Sequence, residues 1–101
     1  MKKVYLQVDP GQVVFLVFAS VREGYNKNIV IKATVEGATV TAREMRYKCK
    51  LEKVVLGDEN VKEFVTYLYF ENANIDTGYR GRYDYPVFTT KEKCIQWLKQ
   101  R

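Results

Sequence analysis

The sequence predicts a mainly β (α+β) chain: about five antiparallel strands in a closed or strongly curved sheet, then one C-terminal α-helix. Three observations predict it. Up to residue 72, Val, Ile, Thr, Tyr and Phe dominate, in stretches that mostly alternate with the period of strands. Turn residues divide that stretch at short intervals. After Thr89 the apolar period changes to that of a helix, and the change is sharp.

The elements follow in order. Lys3–Val8 alternates Val4, Leu6 and Val8 with Tyr5 and Gln7 and reads as a strand. Asp9-Pro10-Gly11 is a tight turn, because Pro presets φ and Gly accepts φ > 0. Val13–Val21 is apolar on both parities, so it is covered on both sides and reads as the central strand. Residues 23–28 form a polar loop. Ile29–Glu36 alternates well, Glu36-Gly37-Ala38 turns the chain, and Thr39–Thr41 continues as strand. Arg46–Val55 puts Tyr47, Cys49, Leu51 and Val55 inward and Arg46, Lys48, Lys50 and Glu52 outward. Gly57-Asp58-Glu59-Asn60 is the next turn.

Val61–Phe70 fits a helical stripe, but its run of β-prone residues favours a strand pairing back on Arg46–Val55 as a hairpin. Asn72–Pro86 has no regular pattern, and a loop this long in so short a chain points to function or mobility. Thr89-Thr90-Lys91-Glu92 reads as a capping box, with Thr89 and Glu92 exchanging hydrogen bonds. The helix then places Cys94, Ile95, Trp97 and Leu98 on one face, with Trp97 as its core anchor. A small SH3-like barrel, or a strongly curved sheet with the helix across one opening, buries both sides of Val13–Val21. The 101 residues form one domain: a β body over 2–72, an aromatic and basic loop over 73–87 and a helix over 89–100.

Composition narrows the chemistry. With no histidine, the chain lacks the usual base near neutral pH and the triads and zinc sites that depend on imidazole. No phosphate loop, nucleophile elbow or metal-spaced cluster is present, so the expected protein is not an enzyme and carries no cofactor and no metal. Asp58 and Glu59 read as solvated turn residues, and Asp76 and Asp84 as partners of nearby arginines. Cys49 and Cys94 read as buried free thiols, with a bridge open only if the helix lies over that strand. Met1-Lys2-Lys3 has the look of a signal-peptide start, but Gln7, Asp9, Pro10, Gly11 and Gln12 interrupt the apolar run, and Val13–Ala19 is short for one. The reading is a cytoplasmic protein without a membrane span.

The net charge of +5 is unevenly distributed: residues 1–56 carry ten basic and five acidic groups, 57–76 one and five, 77–101 six and two. A +5, −4, +4 pattern favours an anionic partner on one side of the molecule, although it also serves solubility. Two groups of residues fit such a partner. Tyr79, Arg80, Arg82, Tyr83 and Tyr85 interleave phenol and guanidinium groups, which suits a protein interface and also stacked bases. Arg46, Lys48 and Lys50 form an outward stripe about 6.5–7 Å apart, near the phosphate spacing of an extended strand. Lysines on an edge strand also block unwanted pairing.

The ending Val87-Phe88-Thr89-Thr90-Lys91-Glu92-Lys93-Cys94-Ile95-Gln96-Trp97-Leu98 resembles the ends of many small bacterial and phage proteins with an SH3-like β body. Ile29–Lys48 is similar to the body of such proteins. The resemblance implies an accessory or mobile-element protein and transfers no site. The expected function is a small non-enzymatic binding module that docks on a macromolecule with an acidic surface through Tyr79, Arg80, Arg82, Tyr83 and Tyr85. The alternatives are a single-stranded or structured nucleic acid held by Arg46, Lys48 and Lys50, or inhibition of a host nucleic-acid-dependent defence complex.

Overall fold

The computed structural model describes residues 6–22, 25–57, 66–80 and 85–100, with side chains left aside for 19–22 and 25–28. Five strands, β1 (Val13–Arg22), β2 (Tyr25–Val40), β3 (Met45–Leu56), β4 (Tyr67–Phe70) and β5 (Val87–Phe88), precede helix α1 (Lys91–Lys99). They form one antiparallel sheet in the order β4-β3-β2-β1-β5. The sheet is open, so the expected five-stranded sheet with a C-terminal helix holds and the closed barrel does not. No helix among the described residues is long and apolar enough to cross a membrane.

Apolar residues on opposite parities divide the core between the two faces of the sheet. One face carries Val14, Leu16, Ile31, Ala33, Val35, Tyr47, Cys49, Leu51 and Phe70, and it is covered by Val8, Ile75 and Tyr85 from outside the strands. The other carries Val17, Val30 and Phe88 under Cys94, Trp97 and Leu98 of α1. β1 therefore contributes to both cores, as its two-faced apolar run requires. It is not the central strand: β2 occupies that place, with β1 between β2 and β5. Cys49 and Cys94 are buried free thiols on opposite faces, so no bridge joins them.

Several local expectations are corrected. Leu6–Val8 is not strand; Val8 is a buried plug over the first core, and residues 1–5 lie outside the described residues. The fifth strand is β5, whose two residues pair with Phe15 and Leu16. The polar loop of 23–28 is shorter than expected, since the ladder already begins at Arg22↔Tyr25. Gly37 does not turn the chain. The register of β2 on β3 shifts between Val35 and Gly37, so Glu36 is the extra residue of a bulge in a continuous strand. β4 pairs back on β3, with Tyr47 opposite Phe70 and Lys50 opposite Tyr67, but of the expected strand Val61–Phe70 the described residues show only Tyr67–Phe70. Residues 58–65, with Asp58 and Glu59, lie outside the described residues.

The helix start also differs. Thr90, not Thr89, is the N-cap and accepts from the Lys93 N–H at 3.2 Å. Thr89 is drawn elsewhere: its N–H and hydroxyl both donate to the Asp76 carboxylate, at 2.8 and 2.7 Å. Lys93 Nζ completes this clasp 3.1 Å from Asp76. Among the described residues Asp76 thus pairs with a lysine of α1 and not with Arg80, and Asp84 lies outside the described residues.

Candidate functional site

The described part of the loop after β4 is tied together by side-chain hydrogen bonds. Asn74 lies at its centre and is fully buried. Its Oδ1 accepts the Glu71 N–H at 2.9 Å, and its Nδ2 donates to the carbonyls of Tyr79 and Arg80 at 3.0 and 2.9 Å. One buried side chain thus bonds three backbone groups of the loop. Thr77 donates to the Ala73 carbonyl and accepts from the Tyr79 N–H. Gly78 has φ +75° and lies against the Trp97 indole, where a side chain would not fit. Asp76 has φ +58°, and its N–H donates to the Val87 carbonyl at 2.8 Å.

This scaffold divides the aromatic and basic cluster. Tyr79 is 58% exposed and Arg80 is exposed beside it. Tyr85 is 8% exposed and belongs to the core: its ring lies 5.3 Å from that of Phe18, and its hydroxyl donates to the Tyr69 carbonyl. A partner that needs the Tyr85 ring cannot reach it, because the chain turns inward at Tyr85 to bring Val87 and Phe88 beside β1. Arg82 and Tyr83 lie outside the described residues.

The basic stripe gains from its surroundings. Phe15 pairs with Lys32, Thr34 with Lys50, and Lys50 with Tyr67, so these residues share the sheet face on which α1 rests. The helix packs over β1 and β5, at Val17 and Phe88. The β3–β4 part of the same face bears Arg46, Lys48, Lys50, Tyr67 and Tyr69. Arg46 Cζ lies 4.5 Å from the Tyr69 ring centroid, and Lys48 Nζ lies 4.3 Å from that of Tyr67. Each contact contributes about 0.5–1 kcal/mol at an exposed site. Tyr67 is 43% exposed. Among the described residues, Arg46 and Lys48 have no carboxylate partner. Beyond Lys50, Glu52 accepts the Thr34 hydroxyl and lies 3.7 Å from Lys32 Nζ.

The sequence reading missed Tyr67 and Tyr69. The signal was present: once Val61–Phe70 pairs with Arg46–Val55, alternation puts Leu68 and Phe70 inward and both tyrosines beside the cations. Among the described residues, no group of three Cys, Asp or Glu side chains could hold a metal ion. The fold and site define a small open-sheet protein with a basic and aromatic face. Compared with protein-family models, curated proteins and solved structures, the chain matches none.

Proposed function

We propose that the chain is a non-enzymatic binding module whose β3–β4 face engages single-stranded nucleic acid. One observation carries the reading: Arg46, Lys48 and Lys50 alternate along β3 while Tyr67 and Tyr69 alternate beside them on β4, with two of the cations resting on the rings. Cations at this spacing meet successive phosphates of an extended strand, and flat phenol rings accept bases without regard to sequence. In binding, Arg46 and Lys48 each exchange a modest ring contact for a phosphate and leave the ring to a base. The net charge of +5 adds long-range attraction.

The test is fluorescence anisotropy with a labelled oligo-dT over a salt series. Three neutralised phosphates give a log–log slope of about −2 on a single strand. Tyr67→Ala weakens binding by about 1–3 kcal/mol, or roughly 5- to 150-fold. Lys48→Ala makes the slope shallower by about 0.7. Absence of binding at low salt, or binding indifferent to both substitutions, refutes the reading.

A second reading draws on Tyr79 and Arg80, exposed side chains on a backbone fixed by Asn74. A rigid Tyr–Arg pair suits a protein partner with an acidic surface. Nuclease-resistant co-purification of a partner, lost in Tyr79→Ala and kept in Lys48→Ala, would favour it.

A further inference from the structure

Strict alternation from Arg46 through Lys48 and Lys50 would put Glu52 next on this face and turn Lys53 toward the first core. The register does otherwise. Leu51 pairs with Ala33, Lys53 with Lys32 and Val54 with Ile31, so Glu52 is the extra residue of a bulge. Leu51 and Val54 both pack on the first core, and Lys53 between them shares the opposite face with Lys32. Measured along β2, Lys50 stands opposite Thr34 and Lys53 opposite Lys32, two residues apart. The bulge thus absorbs one residue, and Lys53 falls one strand period, about 6.5–7 Å, beyond Lys50.

The two neighbouring charges are engaged with each other. Glu52 reaches across β2, where it accepts the Thr34 hydroxyl and lies 3.7 Å from Lys32 Nζ, so Lys32 and Glu52 cancel. Lys53 is exposed and, among the described residues, has no carboxylate partner. The evenly spaced cations are therefore Arg46, Lys48, Lys50 and Lys53.

Resting on the proposed nucleic-acid reading, we infer that Lys53, carried into the track by the bulge, holds a fourth phosphate, so that the site takes a single-stranded segment of about five nucleotides. Four phosphates join five nucleotides, and a strand of four nucleotides leaves one cation unused.

The probes are unlabelled dT4, which has three phosphates, and dT8, each competing against labelled dT8 in anisotropy over a salt series. Three cations set a log–log slope of about −2, and a strand that also reaches Lys53 has one of about −2.8. Wild-type protein thus shows the steeper slope with dT8 and the shallower one with dT4. The difference is an extra loss of roughly 2.6-fold between 50 and 200 mM salt. Lys53→Ala returns the dT8 slope to about −2 and leaves the dT4 slope unchanged, whereas Lys53→Arg keeps both wild-type slopes. Lys91→Ala removes an equal charge from an exposed position on α1 and also keeps both slopes. Thermal unfolding followed by circular dichroism verifies that each variant is folded, and the exposed position of Lys53 makes it tolerant of change.

A wild-type slope that is the same for dT4 and dT8 overturns the fourth contact. So does a wild-type dT8 slope in folded Lys53→Ala, or an equal change in Lys91→Ala, which would make the effect one of overall charge. If Lys48→Ala and Tyr67→Ala still weaken binding in those cases, the nucleic-acid reading stands and only the role of Lys53 falls. If the protein binds neither probe at low salt, both fall together.

Discussion

Gly78→Ala probes the junction between the loop and the helix. Gly78 has φ +75°, and a Cβ built there comes within 2.9 Å of Trp97 Cδ1 and Cε2 and closer still to Nε1. An L-residue in the left-handed region costs about 1–2 kcal/mol. Forcing a methyl group into a packed ring adds about 1–3 kcal/mol. The indole has little room to retreat, since it packs on Phe88 with ring centroids 5.5 Å apart. The expected loss is thus roughly 2–5 kcal/mol, and a loss of about 3 kcal/mol lowers Tm by about 12–24 °C. Gly11→Ala is the control: its φ is +88°, but nothing lies within 4 Å of its new Cβ, so only the backbone cost applies. Urea unfolding is followed by circular dichroism and by the fluorescence of Trp97, the single tryptophan. Equal losses in the two variants, within about 0.5 kcal/mol, would refute close packing of the indole on Gly78.

Three further outcomes are expected. Asn74→Ala strands the Glu71 N–H and the carbonyls of Tyr79 and Arg80, and should cost about 2–4 kcal/mol in urea unfolding; a loss below 1 kcal/mol would mean water replaces the amide. Desolvation pushes the Asp76 carboxyl upward, but hydrogen bonds from the Thr89 N–H, the Thr89 hydroxyl and Lys93 outweigh it and hold it below its usual range. Because the folded value is depressed, its stabilisation is complete above the unfolded carboxyl pKa of about 3.9 and disappears as pH falls through the folded value. Asp76→Asn, which tolerates the same positive φ, should therefore be less stable than wild type at pH 7, and the difference should shrink as pH falls below the ordinary carboxyl range; a difference that stays constant into acid would contradict the clasp. Burial pushes Cys49 up to about 12 and Cys94 to about 11. Neither should react with a thiol reagent at pH 8 until the chain unfolds, and a fast reaction of the native protein would contradict their burial.

The sequence was most legible where one residue's environment follows from its neighbours. Val13–Val21 announced two covered faces because both parities are apolar, and two cores meet at β1. The hairpin of β4 on β3 followed from alternation. β5 was illegible: Val87–Phe88 is too short to display a period and exists because β1 offers it an edge. Gly37 was misread because glycine suits a turn and a bulge equally, and only the partner strand decides between them. Thr89 and Thr90 each satisfy cap chemistry, and Asp76, distant in sequence, decided which was used. Tyr85 was assigned to the surface with Tyr79 by adjacency to arginines, although loop residues have no period from which to read inside from outside. The cations of β3 were legible as a stripe, whereas their tyrosine neighbours needed the pairing register.

The two-residue β5 has a consequence for biosynthesis. As the chain leaves the ribosome, β1 to β4 can assemble in order, each beside its predecessor. The free margin of β1 nevertheless stays bare of its partner until Val87 and Phe88 emerge, and the apolar side chains beneath α1 stay wet until the helix follows. A ribosome that stalls before residue 87 thus holds a nascent sheet with a sticky rim, the state in which this protein is most exposed to pairing with the wrong chain.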